Sequence, residues 1–302
     1  MNKHLKPWLI TGAAAGVAAS YFLWRQKEAA RPILADNAAF HARYGPWAIV
    51  TGAARPQGLG FGFARHLAAR HLNLVLVDSQ EEALLAQADE LRRNYHIKVA
   101  PVVLDLGQPD FLSQLQAATE GLTVGLLVCN HMFTPPESPS ILEMELSAHN
   151  AMLDVNARAY MTLLHSYGRQ MVKQGHGGLI IISCQAALHG TPYTGAYAAN
   201  KAYQLILGES LWYELQGTNV DVLVVAPGLT QTSEAAHAGY PQFMVSEVDP
   251  VVNETLRELG RHHLVVPGFF TKLLYFANTH LLSRQQAVEQ SGRPQTEVWL
   301  QN

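Results

Sequence analysis

A chain of 302 residues, 48% of them hydrophobic, has the material for one large α/β domain with a sizeable core. A formal net charge of -3 without a long basic run excludes nucleic acid as the main partner, because phosphate binding needs clustered Lys and Arg. Two cysteines, Cys129 and Cys184, exclude a disulfide framework, and the 14 histidines fall in no HExxH or Cys/His ligand spacing, so no metal is expected.

The first segment, residues 7–24, carries no charge. A hydrocarbon core of about 30 Å takes about 20 helical residues, so this stretch is expected to cross a membrane once. Trp8 and Trp24 stand at its two ends, as interfacial indoles do. Lys3 and Lys6 flank one side, and Arg25, Lys27 and Arg31 the other. The apolar Tyr21-Phe22-Leu23-Trp24 follows Ala13-Ala14-Ala15, which a cleaved signal peptide would not need. Residues 1–25 are therefore read as a transmembrane anchor. Its Gly12 and Gly16 form a GxxxG pair through which two such helices can meet, which leaves a homo-oligomer open. Thr11-Gly12-Ala13-Ala14-Ala15-Gly16 imitates a nucleotide-binding loop but follows no strand. Residues 26–46, charged and broken by Pro32 and Gly45-Pro46, are read as a linker.

From Trp47 onward, apolar runs alternate with longer amphipathic ones. Runs at 48–51, 74–77, 99–104, 124–128, 179–182, 222–226 and 264–266 are mostly rich in Val, Ile and Leu, as buried parallel strands are. Between them, 61–71, 81–95 and 147–173 have helical spacing. Such alternation predicts an α/β fold, a single doubly wound parallel sheet with helices on both faces. The domain is placed at 47–285, with a lid at 233–261 lined by Tyr240, Phe243, Met244 and Val245, and a tail at 286–302.

The first strand runs into Thr51-Gly52-Ala53-Ala54-Arg55-Pro56-Gln57-Gly58-Leu59-Gly60. Glycines there let the backbone approach a pyrophosphate that the next helix's N-terminus attracts. The second strand ends in Asp78, where a carboxylate can accept a ribose hydroxyl and repel a 2′-phosphate; the same residue type also caps helices. Asp105 and Leu106 close the third strand, where an adenine edge could be met. Tyr197 and Lys201 are four apart and so share a helix face. The ammonium is expected to lower the phenol's pKa and to reach a ribose, so that Tyr197 exchanges a proton with a substrate oxygen. Among the eleven tyrosines, only Tyr197 has a lysine at that spacing.

The order of these motifs, completed by Asn156 in a mid-chain helix, Ser183 at a strand end and Pro227-Gly228-Leu229-Thr230-Gln231-Thr232, resembles the short-chain dehydrogenase/reductase (SDR) family over residues 46–282. The resemblance implies a single Rossmann domain of about seven strands and an Asn-Ser-Tyr-Lys site. It implies NAD(P)-dependent interconversion of a carbonyl and an alcohol by hydride transfer. Asn156 matches the asparagine that helps hold a relay water near the lysine; Tyr197 and Lys201 match the acid/base and its partner. Pro227, Gly228 and Thr232 match the loop that meets the nicotinamide, and Asn130 is what survives of the fourth-strand motif. The Val265-Val266-Pro267-Gly268 segment with its following apolar helix is similar to membrane-associated members, including 17β-hydroxysteroid and 3-oxoacyl-CoA reductases. Asp78 makes NAD(H) the expected cofactor, with NADP(H) left open by Arg55. Cytosolic nicotinamide places the domain on the cytoplasmic side of its membrane, and an anchor with an apolar lid implies a small lipophilic carbonyl or alcohol substrate.

Three departures stand out. The glycine loop is two residues longer than TGxxxGxG, so Arg55-Pro56-Gln57 must bulge outward. The fourth strand ends in Cys129-Asn130-His131-Met132. Cys184 occupies the family's serine position with Ser183 beside it, and a thiol is a weak donor. Either Ser183 substitutes through a local shift, or Cys184 works poorly, or the protein is a membrane-tethered nucleotide-binding relative with little or no turnover. A redox sensor pairing Cys129 with Cys184 is a third reading.

Overall fold

Seven short strands pair side by side, all parallel, in the order β3-β2-β1-β4-β5-β6-β7. The computed structural model describes residues 37–135, 140–233 and 240–299, the side chains of 293–299 excepted. The strands are β1 Trp47–Thr51, β2 Asn73–Asp78, β3 Val99–Val103, β4 Val124–Cys129, β5 Gly177–Ile182, β6 Val220–Val225 and β7 Leu264–Val265. Each lies within two residues of its predicted span. β4 and β5 are buried along their whole length, as expected of strands covered on both faces. The sequence-adjacent pair β3 and β4 is split to opposite sides of β1, which creates the switch point at which α/β sheets bind ligands.

The connecting helices are α2 Leu59–Ala68, α3 Glu81–Tyr95, α4 Phe111–Ala118, α5 Leu146–Leu153, α6 Ala159–Gln174, α7 Gly195–Glu214 and α8 Val248–Glu258. The predicted helix at 147–173 is one rod interrupted by a π turn at Asp154–Arg158. Such bulges insert one residue into the helix and are frequent at functional sites.

Two boundaries differ from the sequence reading. The last part of the expected linker is a helix, α1 Asn37–Tyr44, whose Phe40 and Tyr44 are buried. Its Tyr44 hydroxyl donates to Asp221 at 2.6 Å, and Arg43 forks onto the same carboxylate. Gly125 and Gly178 make room: a Cβ on Gly178 would fall 2.9 Å from the Tyr44 ring, and one on Gly125 2.5 Å from Gly45 O. The domain thus begins about ten residues earlier than composition suggested, because a short helix with only two apolar anchors reads as polar connector. At the other end, the expected tail is helix α10 Arg284–Trp299, preceded by α9 Phe269–Phe276 and a π turn at Ala277–Leu281. Ala287 is buried, Val288 reaches Gly190, and Ser291 donates to Gly190 O at 3.4 Å, so α10 packs on the loop that follows β5.

The expected membrane anchor, residues 1–25, lies outside the described residues. Among the described residues no helix is long and apolar enough to cross a membrane.

Candidate active site

The glycine loop closes on itself at the switch point. The Thr51 hydroxyl, fully buried, donates to Val128 O at 3.1 Å and accepts from Asn130 N at 3.0 Å, pinning β1 to β4. Asn130 returns its carboxamide to Thr51 O and Gly52 O at 3.3 and 3.1 Å. Gly52 has φ +69°, and a Cβ on Gly60 would fall 2.1 Å from Gly52 O, so neither position accepts a side chain. Arg55, Pro56 and Gln57 are exposed, and Gly58 N donates to Arg55 O at 2.9 Å, closing the outward bulge that the longer loop requires. The side chains of Thr51 and Asn130, expected at the cofactor, are spent inside the protein on shaping this turn. The first-turn amides of α2, at Leu59 and Gly60, have no acceptor within their helix and carry its positive dipole end.

Asp78 Oδ2 accepts from Ala54 N at 3.0 Å and Oδ1 from Gln80 N at 3.1 Å. Each oxygen keeps a lone pair for a ribose hydroxyl. Asp105 is exposed and folds back on Gly107 N and the Gln108 carboxamide at 2.8 and 2.9 Å. Leu106, predicted beside the adenine, turns its side chain into the core. The tight glycine cradle, the open amides of α2 and the carboxylates after β2 and β3 together fit a dinucleotide. Gly52, Gly58, Leu59, Gly60, Asp78 and Asp105 would hold it.

Tyr197, Lys201 and Gln204 share the inward face of α7. Lys201 is buried, donating to Ile182 O at 2.8 Å and to Gln204 Oε1 at 3.0 Å, with its nitrogen 5.8 Å from the centre of the Tyr197 ring. Burial brings its ammonium down to about 8, with the neighbouring Cys184 acting in the opposite sense. Burial also pushes the Tyr197 phenol well above its usual range; Cys184 adds to this by its charge and by a hydrogen bond. The sequence expectation that Lys201 lowers the Tyr197 pKa is thus reversed. The ammonium is turned toward two carbonyl oxygens and is itself weakened, so desolvation of the phenol wins.

Ser183 and Cys184 part ways. Ser183 is 2% exposed and its hydroxyl donates backward to Lys201 O at 2.7 Å. Cys184, only half-buried, is the group at the phenol. Alternation along an extended backbone sends successive side chains to opposite faces, so Ser183 is turned away from the phenol while Cys184 faces it. Cys129 is registered with Ile181, three residues short of Cys184, so about 10 Å of extended backbone separates the two Cα positions. That exceeds disulfide reach, which removes the reading that pairs Cys129 with Cys184 in a disulfide.

Asn156 sits in the π turn, 1% exposed. Its carboxamide clamps Phe133, accepting from Phe133 N at 2.8 Å and donating to Phe133 O at 2.7 Å, which fixes the strand-end loop over the site. The main-chain carbonyl of Asn156 accepts from Gln204 Nε2 at 2.8 Å. His131, one of the three residues that depart from the fourth-strand motif, is a buried member of this loop. Its Nδ1 is 2.8 Å from Thr51 Oγ1, its ring is 4.3 Å from that of Tyr160, and burial holds its imidazole down to about 3. Sequence reasoning missed Gln204 and His131. A polar residue in the Tyr197-Lys201 stripe was the available signal for Gln204; for His131 it was the departure of the fourth-strand end from the family pattern.

Beside Tyr197 lies a narrow, mostly apolar cleft with a cavity volume of about 10 Å³, lined among others by Pro135, Ile141, Met144, Met152 and Tyr193. A larger surface groove with Gln116, Arg169 and Lys173 lies on α4 and α6, away from this chemistry. Opposite, the 227–233 loop is strapped to Ser246: Gln231 N donates to Ser246 O and Ser246 N to Leu229 O, both at 2.9 Å. A Cβ on Gly228 would fall 2.8 Å from Thr271 Oγ1, so this loop packs directly on α9, while Thr232 is half-buried. The predicted lid at 233–261 is only partly a loop. Phe243 is 59% exposed and meets Phe270, but α8 buries Val251, Val252 and Leu256 and ties Asp249 to Arg65 of α2 at 2.8 Å. Residues 248–258 are therefore framework.

Residues 46–240 match the family model described as short chain dehydrogenase. The chain belongs to this family. A 7β-hydroxysteroid dehydrogenase of Collinsella aerofaciens is 32% identical over 236 residues, 75% of this chain and 87% of that protein. A very-long-chain 3-oxoacyl-CoA reductase-like protein of Arabidopsis thaliana is 30% identical, over 78% of this chain and 76% of its own length. A solved 7β-hydroxysteroid dehydrogenase superposes with a TM-score of 0.78 at 28% identity, covering 83% of this chain and 98% of that one. As a short-chain dehydrogenase/reductase, the protein interconverts a carbonyl and an alcohol with a nicotinamide dinucleotide.

Proposed function

We propose that this short-chain dehydrogenase reduces a lipophilic ketone, or oxidises the matching alcohol, with Tyr197 as the acid/base. The observation that carries the reading is the placement of Tyr197, Lys201 and Cys184 together beside a mostly apolar pocket. A bound nicotinamide cofactor supplies or takes the hydride. The chain's residues handle the proton: a phenol held above its usual pKa stays protonated at neutral pH and can donate to an oxygen gaining charge. Lys201, charged below about 8, stabilises that donor once its proton has left. Cys184 offers the remaining hydrogen bond.

Hydroxysteroid and long-chain acyl relatives, together with the Pro135, Ile141, Met144 and Met152 lining, favour an apolar ketone as substrate, for which the narrow cleft would have to widen. Asp78 favours NAD(H) over NADP(H), with exposed Arg55 as the opposing influence. The uncharged stretch at 7–24 supports a single membrane anchor with the catalytic domain on the cytoplasmic side, and its GxxxG pair a homo-oligomer.

Cys184 in place of a hydroxyl favours a second reading, a nucleotide-binding relative with little turnover. Tyr197→Phe decides between them. The first reading expects turnover of a ketone and alcohol panel to vanish while cofactor binding by calorimetry stays within about threefold. No change in turnover across the panel would leave the second.

A further inference from the structure

Gln204 lies one turn beyond Lys201 on α7 and is fully buried. Both ends of its carboxamide are used. Oε1 accepts from Lys201 Nζ at 3.0 Å, and Nε2 donates to the main-chain carbonyl of Asn156 at 2.8 Å. The orientation of the amide is dictated by its partners, because an ammonium only donates and a carbonyl only accepts. Since the Asn156 side chain is spent on Phe133, Lys201 is joined to Asn156 through Gln204.

The other groups facing Lys201 are known. Tyr197 comes from its own helix, Cys184 from the end of β5 and His131 from the end of β4; Ser183 beside Cys184 turns to the Lys201 carbonyl instead. None of these is a carboxylate. The fixed partners of the ammonium are two neutral oxygens, Ile182 O and Gln204 Oε1.

We propose that Gln204 is a positioning residue whose carboxamide takes the place of a bridging water between Asn156 and Lys201, holding the ammonium beneath the phenol and closing the proton path through Asn156. A water in that place could accept a proton on one side and release one on the other. A carboxamide with both ends engaged cannot do so without changing tautomer. Lys201 then exchanges its proton on the side of the cleft, and its affinity for that proton depends on the acceptor that Gln204 supplies. The inference rests on the reading of Tyr197 and Lys201 as the proton-handling pair.

The test compares the full chain with Gln204→Met, which keeps the volume and removes the acceptor, and Gln204→Glu, which keeps the shape and adds charge. The Lys201 side chain is titrated directly by NMR of lysine labelled at the ε-carbon, with Lys201→Met assigning the signal. Loss of one hydrogen bond to a charged group should lower the Lys201 titration by about one unit in Gln204→Met, and Gln204→Glu should raise it by at least as much. The basic limb of kcat/KM for ketone reduction should move in the same directions, while the cofactor KM changes little. Superimposable Lys201 titrations in folded protein would overturn the proposal. Should Gln204→Met fail to fold, the absence of an upward movement in Gln204→Glu overturns it alone. If the titrations move but the wild type turns over no ketone or alcohol, the hold of Gln204 on Lys201 stands and the reductase reading falls.

Discussion

Replacing Cys184 by serine tests the arrangement of the strand end more sharply than any deletion. In the structure, Ser183 is committed to Lys201 O at 2.7 Å, while Cys184 is the neighbour of the phenol. One well-placed hydrogen-bond donor to a developing oxyanion is worth about 10²- to 10³-fold in kcat. A thiol supplies part of that, so Cys184→Ser should raise kcat for ketone reduction by about tenfold, with about 10² as the ceiling. Cys184→Ala should lower it. Ser183→Ala should act elsewhere: it deletes a buried bond to a helix carbonyl, costing about 1–3 kcal/mol of stability with kcat within about threefold of wild type. Steady-state kinetics at pH 7 beside urea unfolding of the same preparations separates the two effects. A 10²-fold loss of kcat in Ser183→Ala at unchanged stability, with Cys184→Ser and Cys184→Ala both neutral, would refute the assignment.

Three further outcomes follow from the geometry. Truncation before Asn37 should leave the domain folded, whereas truncation before Trp47 removes Phe40 and Tyr44 and should cost about 3–6 kcal/mol of burial, read as a lowered denaturation midpoint; equal midpoints would return α1 to the status of a linker. Because burial holds His131 down to about 3 from 6.5, the unfolded chain binds the extra proton below 6.5 and stability falls as pH drops from 6.5 toward 3, by about 1.4 kcal/mol per unit. Urea unfolding of His131→Gln should show a flatter acid limb; an unchanged slope would mean that this imidazole is not the acid-sensitive group. Asp78→Ala should shift the ratio of NAD⁺ to NADP⁺ affinity toward NADP⁺ by tenfold or more, and tighter NADP⁺ binding by the wild type would reverse the preference proposed for Asp78.

The strands, the glycine turn and the Tyr197-Lys201 pair were legible in the chain, because each rests on local physics, and the substitution at Cys184 was legible through the family resemblance. Strand periodicity, backbone permissiveness at Gly52 and Gly60, and four-residue helix spacing depend on neighbours in sequence. What only the tertiary structure decided involves partners far apart. Whether Ser183 or Cys184 meets the phenol depends on how the end of β5 packs against α7. Desolvation by the surrounding layers sends the Tyr197 phenol up rather than down, and no sequence spacing carries that sign. Thr51, Asn130 and Leu106 carry cofactor-site motifs, yet the fold spends their side chains on closing the turn and filling the core. Docking of α1 on Asp221 spans 177 positions of chain, and Gln204 gains its role because a π turn presents the Asn156 carbonyl to it from 48 residues away. Hydrogen bonds between distant residues leave no periodic trace, so their partners emerge only when the sheet order has brought them together.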